Sequence, residues 1–246
     1  MTGDLKQFKE LSKGIAYEIN EHISVLNPTL GDICDFGEQE YYSMVTTICA
    51  IPDDFKSVLF DIGIDYSEIT DFELFIMMSQ QLSQKSTAIL LGELDFQKLQ
   101  PFKSSVNDEL VMCDVVDGEP VVVMDRAVYS KLTARIRLMH GIKEPEVRKP
   151  SNEETKRALI DHERRRLRRR KNKQFESQLL PMVSGMVNQP GFKYSYETVW
   201  GLPVAVFNDS VARVQRFLDY NNLMRGLYAG TISQKDISKD DLNWLG

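Results

Sequence analysis

The segment from Phe72 to Leu82 sets the strongest constraint on how this chain can fold. Phe72, Leu74, Phe75, Ile76, Met77, Met78 and Leu82 place apolar side chains on nearly every face of a helix, and such a helix must be central to a core or to an interface. Thr70-Asp71-Phe72-Glu73 marks its start, because a threonine oxygen can accept from the N3 amide while the glutamate reaches back. A second segment makes a similar demand. Val204, Phe207, Val211, Val214 and Leu218 fall at i, i+3, i+7, i+10 and i+14 behind Pro203, which suits a helix start. At 246 residues and 42% hydrophobic content, the chain can cover both stripes within one large domain or two small ones.

The remaining punctuation predicts a mainly α protein: a helical bundle with one small β-hairpin and a long arginine-rich helix. A weakly amphipathic pattern from Asp4 to about Ile23 reads as a peripheral helix. Glu38-Gln39-Glu40 opens a helix bearing Tyr41, Val45 and Ile48. A further one starts at Pro52 and carries Phe55, Val58, Leu59 and Ile62, with Gly63 as its stop. Leu110 to Val116 and Pro120 to Asp125 are β-branched runs joined by Asp117-Gly118, a tight-turn pair. Asp125 then caps a helix with Val128, Leu132, Ile136 and Met139 on one stripe and Gly141 at its end. Residues 142–150, with two prolines among charges, read as a linker between an N-terminal part, 1–141, and a C-terminal part, 151–246. Ser151 and Glu154 form a second capping box, opening a helix that continues to about Val187 with a bend near Pro181 and Gly185. A short aromatic helix around Tyr194 to Trp200 follows. Ser238 with Asp241 caps a final turn ending in Leu242, Trp244 and Leu245.

Charge is distributed unevenly. Between Lys156 and Lys173 the basic residues Lys156, Arg157, Arg164, Arg165, Arg166, Arg168, Arg169, Arg170, Lys171 and Lys173 outweigh Asp161 and Glu163, giving this segment +8 within a total of −6, so everything else carries −14. Arginine guanidinium groups on a helix can lie against phosphates. The arginines here wrap the helix, which equally suits a solvated connecting helix or a cationic rod meeting acidic surface on a partner or on this chain.

Signals for chemistry are missing. His162 lacks a second histidine one turn away, and His22 and His140 are isolated, the last beside Gly141 where a protonated ring would suit the helix C-terminus. Ser184 lacks the first glycine of a nucleophile elbow, and no phosphate-binding glycine loop occurs. Cys34, Cys49 and Cys113 resemble neither a disulfide framework nor a zinc site, which points to a reducing compartment. No stretch approaches the roughly 20 apolar residues of a bilayer helix, and residues 1–10 carry no signal peptide. The reading is of a cytoplasmic, non-enzymatic protein without metal or cofactor. Phe72, Phe75, Met77 and Met78 offer either core packing or an adaptable docking surface.

Two stretches resemble the tail assembly chaperones of tailed bacteriophages, the proteins encoded beside the tape measure, especially in phages of Gram-positive hosts. One runs from Thr29-Leu-Gly-Asp-Ile-Cys-Asp-Phe-Gly-Glu-Gln-Glu-Tyr-Tyr through Ile51-Pro52 to Phe60-Asp-Ile-Gly-Ile-Asp-Tyr-Ser-Glu-Ile-Thr-Asp-Phe-Glu-Leu-Phe75. The other is Trp200-Gly-Leu-Pro-Val-Ala-Val-Phe-Asn-Asp-Ser-Val-Ala-Arg, with Tyr228-Ala-Gly and Leu242-Asn-Trp-Leu-Gly246. Together they span about 100 of the 246 residues. The resemblance implies an assembly factor that holds the tape-measure protein soluble in the host cytoplasm, meets other tail proteins, and is absent from the mature virion.

On this reading the partner-binding residues are Phe72, Phe75, Met77, Met78, Val204, Phe207, Val211, Val214 and Leu218. Arg164, Arg165, Arg166, Arg168, Arg169, Arg170, Lys171 and Lys173 steer an acidic partner. Two alternatives stand beside it: a nucleic-acid-binding protein using the Arg164–Lys173 helix, and a structural virion protein retained in the tail.

Overall fold

The structure is a computed structural model that describes residues 5–104, 108–145, 150–170, 174–238 and 242–244, with the backbone alone for Leu5, Lys6, Phe8, Arg170 and Asp236. It is mainly α. The N-terminal half holds α1 (Leu5–Ser12), a two-residue ribbon of β1 (Tyr17–Glu18) and β2 (Ser24–Val25), α2 (Leu30–Phe36), α3 (Glu38–Ile48), a 3-10 turn (Pro52–Phe55) running into α4 (Lys56–Asp61), α5 (Asp71–Ser79) and α6 (Gln84–Leu91). An antiparallel sheet in the order β3 (Gln100–Lys103), β4 (Leu110–Val116), β5 (Glu119–Met124) precedes α7 (Arg126–His140). The C-terminal part holds α8 (Glu153–Arg170), α9 (Leu179–Val187), a 3-10 turn (Val199–Gly201), α10 (Val204–Tyr228) and a last 3-10 turn (Gln234–Asp236).

Local chemistry explains most boundaries. The Thr70 hydroxyl accepts from the Glu73 amide and the Glu73 carboxylate accepts from the Thr70 amide, closing the expected box. Asp125 accepts from the Val128 amide, and Gly141 takes the left-handed conformation that ends α7. Asp117 and Gly118 both have positive φ, as the two-residue hairpin turn requires.

Several expectations need correction. The N-terminal helix stops at Ser12, and the chain turns back through β1 and β2 instead of continuing to Ile23. The hairpin gains a third strand, whose Pro101 is tolerated because β3 lies at the sheet edge. Helices α2 and α6 are additions: Thr29 with Asp32 forms the capping box of α2, and Ser83 caps α6. The long arginine helix is described as far as Arg170 and residues 174–178 are not helical, so it does not run on to Val187 and the break precedes Leu179. Pro181 lies in the first turn of α9, where no intrahelical donor is needed. Asn152, not Ser151, caps α8, accepting from the Thr155 amide. The aromatic helix before Gly201 is reduced to the 3-10 turn, and Asp241 and Leu245 lie outside the described residues.

The main core draws on both sides of residues 142–150. Leu30, Ile33, Tyr41, Phe72, Phe75, Phe96 and Ile136 share one cluster with Leu179, Val183, Val199, Val204 and Phe207. The expected boundary is therefore not a boundary between cores. Backbone bonds reinforce the join: Leu30 N–H donates to the Leu202 carbonyl at 2.9 Å, and Val204 N–H donates to the Pro28 carbonyl at 2.8 Å. The two stretches that carry the tail-chaperone resemblance are the ones that meet here.

His140 sits under this core. Its Nδ1 donates to the Ile136 carbonyl at 2.7 Å, which leaves Nε2 to accept from the Tyr41 hydroxyl at 2.8 Å. The ring is thus held neutral, and burial pushes its pKa below the ordinary 6.5. The expected charged histidine at the helix end is overridden by desolvation.

Two outcomes follow. Phe207→Ala should lower stability to urea by about 3–5 kcal/mol, with tryptophan fluorescence and far-ultraviolet dichroism losing structure in a single shared transition. The unfolded ring of His140 protonates near its ordinary pKa while the folded ring resists, so its contribution is present above pH 6.5 and lost as pH falls through that value. His140→Gln should flatten that part of the stability profile, measured as the urea midpoint between pH 8 and pH 5.

Candidate functional site

The apolar residues singled out from the sequence divide into covered and uncovered sets. Phe72 and Phe75 are buried, and their rings lie 5.3 Å and 4.8 Å from that of Tyr129. Val204 and Phe207 are equally enclosed, while Val211 and Val214 pack partly against the main core. Met78 turns to a second, smaller cluster of Ala50, Leu59, Tyr66, Leu74 and Ile160. As docking residues Phe72, Phe75, Val204 and Phe207 are thus corrected: the molecule's own interior occupies them. Met77, 41% exposed, and Leu218, 40% exposed, are the ones that face outward.

Leu218 marks where α10 leaves its support. A helix of this length runs about 37 Å, and its buried side chains, Val204 and Phe207, lie in the first turn. Beyond Val214 the stripe emerges, with Phe217 and Leu218 uncovered and Tyr228 82% exposed. Trp244 returns to place its ring edge on Phe217, with centroids 5.4 Å apart. Phe217, Tyr228 and Trp244 were missed because a stripe shows which face needs cover, not how far the cover extends. Exposed valines Val115, Val116, Val121 and Val122 mark the turn end of the hairpin.

The basic helix α8 has an inner and an outer side. Ile160, buried to 2%, enters the second cluster, and Glu163 Oε2 accepts from the Ser57 amide near the start of α4 at 2.6 Å. Around that contact Lys156 pairs with Asp65 and stands over the Tyr66 ring, while Arg164 pairs with Asp61 and stands over the Phe60 ring. Hydrogen bonding from Lys156 holds the Asp65 carboxyl down at about 2. Arg164 is thereby committed to this chain's own acidic surface. Arg165, Arg166, Arg168 and Arg169 remain exposed on the outer side, as does His162. Lys171 and Lys173 lie outside the described residues, and the Arg170 side chain is among those given by backbone alone.

A cleft of about 600 Å³ opens between α5 and α7, lined in part by Asp53, Tyr66, Asp71, Arg126 and Arg137. Burial raises the Asp71 carboxyl above its ordinary value, and Arg137 donates to the Cys49 carbonyl at 2.9 Å. Burial also pushes the Cys49 thiol up to about 12, so it stays protonated at neutral pH. Among the described residues no helix is long and apolar enough to cross a membrane.

The segment that carries α9, α10 and the returning Trp244 also carries the one family match. Residues 170–246 resemble the YomV second domain. This phage-associated family covers about a third of the chain and points to a phage protein. No curated protein and no solved structure matches. The YomV-like segment begins at residue 170, so α8 as described lies almost wholly outside it. Its first half is nevertheless part of the main core, through Leu179, Val183, Val199, Val204 and Phe207.

The two faces of α8 separate experimentally. Ile160→Ala should lower stability by about 2–4 kcal/mol, whereas Asp65→Asn should change it by less than about 1 kcal/mol because the pair is solvent-screened. Amide hydrogen exchange across α8 reads both effects. The Asp65 contribution is present above the ordinary carboxylate value of 3.8 and disappears as pH falls toward about 2.

Proposed function

We propose that this chain is a non-enzymatic phage assembly factor, a tail assembly chaperone that holds the tape-measure protein during tail morphogenesis. One observation supports the reading above others: on the outer half of α10, Phe217, Leu218 and Tyr228 each stay 40% or more exposed. Phe217, Leu218 and Tyr228 on a projecting helix form a ledge to which an amphipathic helical partner can add its own apolar face. Met77 supplies an exposed, adaptable side chain elsewhere on the surface. Contacts of this size give modest, reversible affinity, as a factor that must leave the finished tail requires. The phage-associated match to the same segment agrees with it.

In this role no bond is made or broken, no metal or cofactor is needed, and the partner is met in the host cytoplasm before the tail is complete. Other tail proteins can meet the same ledge.

Co-expression with a phage tape-measure protein, the partner this reading requires, should recover a complex on affinity pull-down. The double substitution Phe217→Ser with Leu218→Ser should weaken that complex roughly tenfold or more while the chain stays folded by far-ultraviolet dichroism. Purified virions should lack the chain by mass spectrometry. A folded wild-type chain that recovers no partner, or a double variant that binds as well as wild type, overturns the reading.

A further inference from the structure

The outer side of α8 is exposed among the described residues. On a helix of 3.6 residues per turn, Ile160 points inward, and Arg168, Arg165, Arg169 and Arg166 fan around the opposite side over an arc of roughly 160°. All four are exposed, and Arg157 extends the basic surface toward the N-terminal end. The inner side is closed by Lys156, Ile160, Glu163 and Arg164 against α4 and the Asp65 loop. The acidic groups near the arc are Asp161, whose carboxylate accepts from Arg164 and whose carbonyl accepts from Arg165, and Glu153 and Glu154 at the far end of the helix.

We propose that α8 is a docking surface for duplex DNA, laid in the major groove with its arginines on the phosphates of both walls. The width of the arc decides between the two polyanions that an arginine surface could meet. A flat acidic protein face touches one stripe of a helix, and arginines at both edges of so wide an arc would point past it. A groove with phosphates on either side reaches both edges at once. The B-DNA major groove is about 12 Å wide and a helix with its side chains is about 10–12 Å across, so α8 fits without distortion. Arginine forms bidentate bonds to phosphate, which favours this use over a merely solvated face. The sequence outside residues 156–173 carries −14 and repels DNA, so contact is confined to the basic segment.

The test uses the full-length chain and a 24-base-pair duplex of arbitrary sequence, followed by fluorescence anisotropy. With about four phosphates neutralised, affinity should fall about 150-fold between 50 and 200 mM salt. Changing Arg165, Arg166, Arg168 and Arg169 together to Gln should weaken binding roughly 100-fold at the lower salt, with an unchanged thermal midpoint because these side chains face water. Changing the same four to Lys should retain most of the salt slope. Arg164→Gln, on the inner side, should leave DNA affinity within about threefold. The proposal is overturned if wild type does not bind the duplex at 50 mM salt, if the four-Gln variant binds equally well, or if poly-glutamate of equal charge concentration displaces the duplex as effectively as unlabelled DNA does.

Discussion

The close meeting of residues 28–31 with residues 200–204 is the contact on which the rest of the structure depends. Two backbone hydrogen bonds, which pair Thr29 with Pro203 in an antiparallel bridge, tie the start of α2 to the start of α10. Gly31 permits the approach, since a side chain there would begin 3.2 Å from the Trp200 carbonyl oxygen. Once these segments are joined, Leu30 and Ile33 face Val199, Leu202, Val204 and Phe207, and the first turns of α10 are drawn into the same interior as α5 and α7. Bonds of this kind each contribute about 0.5–1.5 kcal/mol. Their larger effect is to fix the direction in which α10 departs.

That direction determines which apolar residues remain for use. Helix α10 crosses the supporting surface near α7 and α1, where Asn208 donates to the Met139 carbonyl at 3.0 Å. It then continues to Tyr228, with Phe217, Leu218 and Tyr228 exposed along it. A shorter α10 would have left no ledge. The residues a partner can reach are therefore a consequence of the α2–α10 join as much as of the side chains themselves.

Features decided within one or two helical turns were legible in the sequence. The Thr70–Glu73 box, the Asp125 cap, the Gly141 stop and the Asp117-Gly118 turn each depend on neighbours close in the chain, and each forms as expected. Features decided by distant contacts were not. The ribbon of β1 and β2 has two residues per strand, too few to show alternation, and it is held by Asn20, which donates to the Val123 carbonyl and accepts from the Ile23 amide. Arg135 is another case. On α7 it reads as a surface arginine, yet it is buried with its guanidinium 4.5 Å from the Tyr17 ring centroid, a cation–π contact that no spacing rule announces. The candidate docking residues failed in the same way: the sequence showed that α5 and the stripe of α10 needed cover, but the resemblance assigned Phe72, Phe75, Val204 and Phe207 to a surface that the fold had already filled.

The arginine-rich helix shows the same division within a single element. Its inner side is specified by groups that suit one register. Glu163 reaches the Ser57 amide only if Ile160 enters the second cluster, and that placement brings Lys156 to Asp65 and Arg164 to Asp61. A buried carboxylate with one oxygen bonded and Oε1 unpartnered among the described residues adds little net stability. Sliding the helix by one residue would leave it without that bond, so it serves to fix the rotation of α8 about its axis. With that rotation fixed, two cations are neutralised by the chain's own carboxylates and the arginines opposite them are presented to solvent as a group. The fold needs only the inner side. The outer charges repel one another and contribute nothing to the core, so their concentration on one exposed arc is a property of the surface rather than of the packing beneath it.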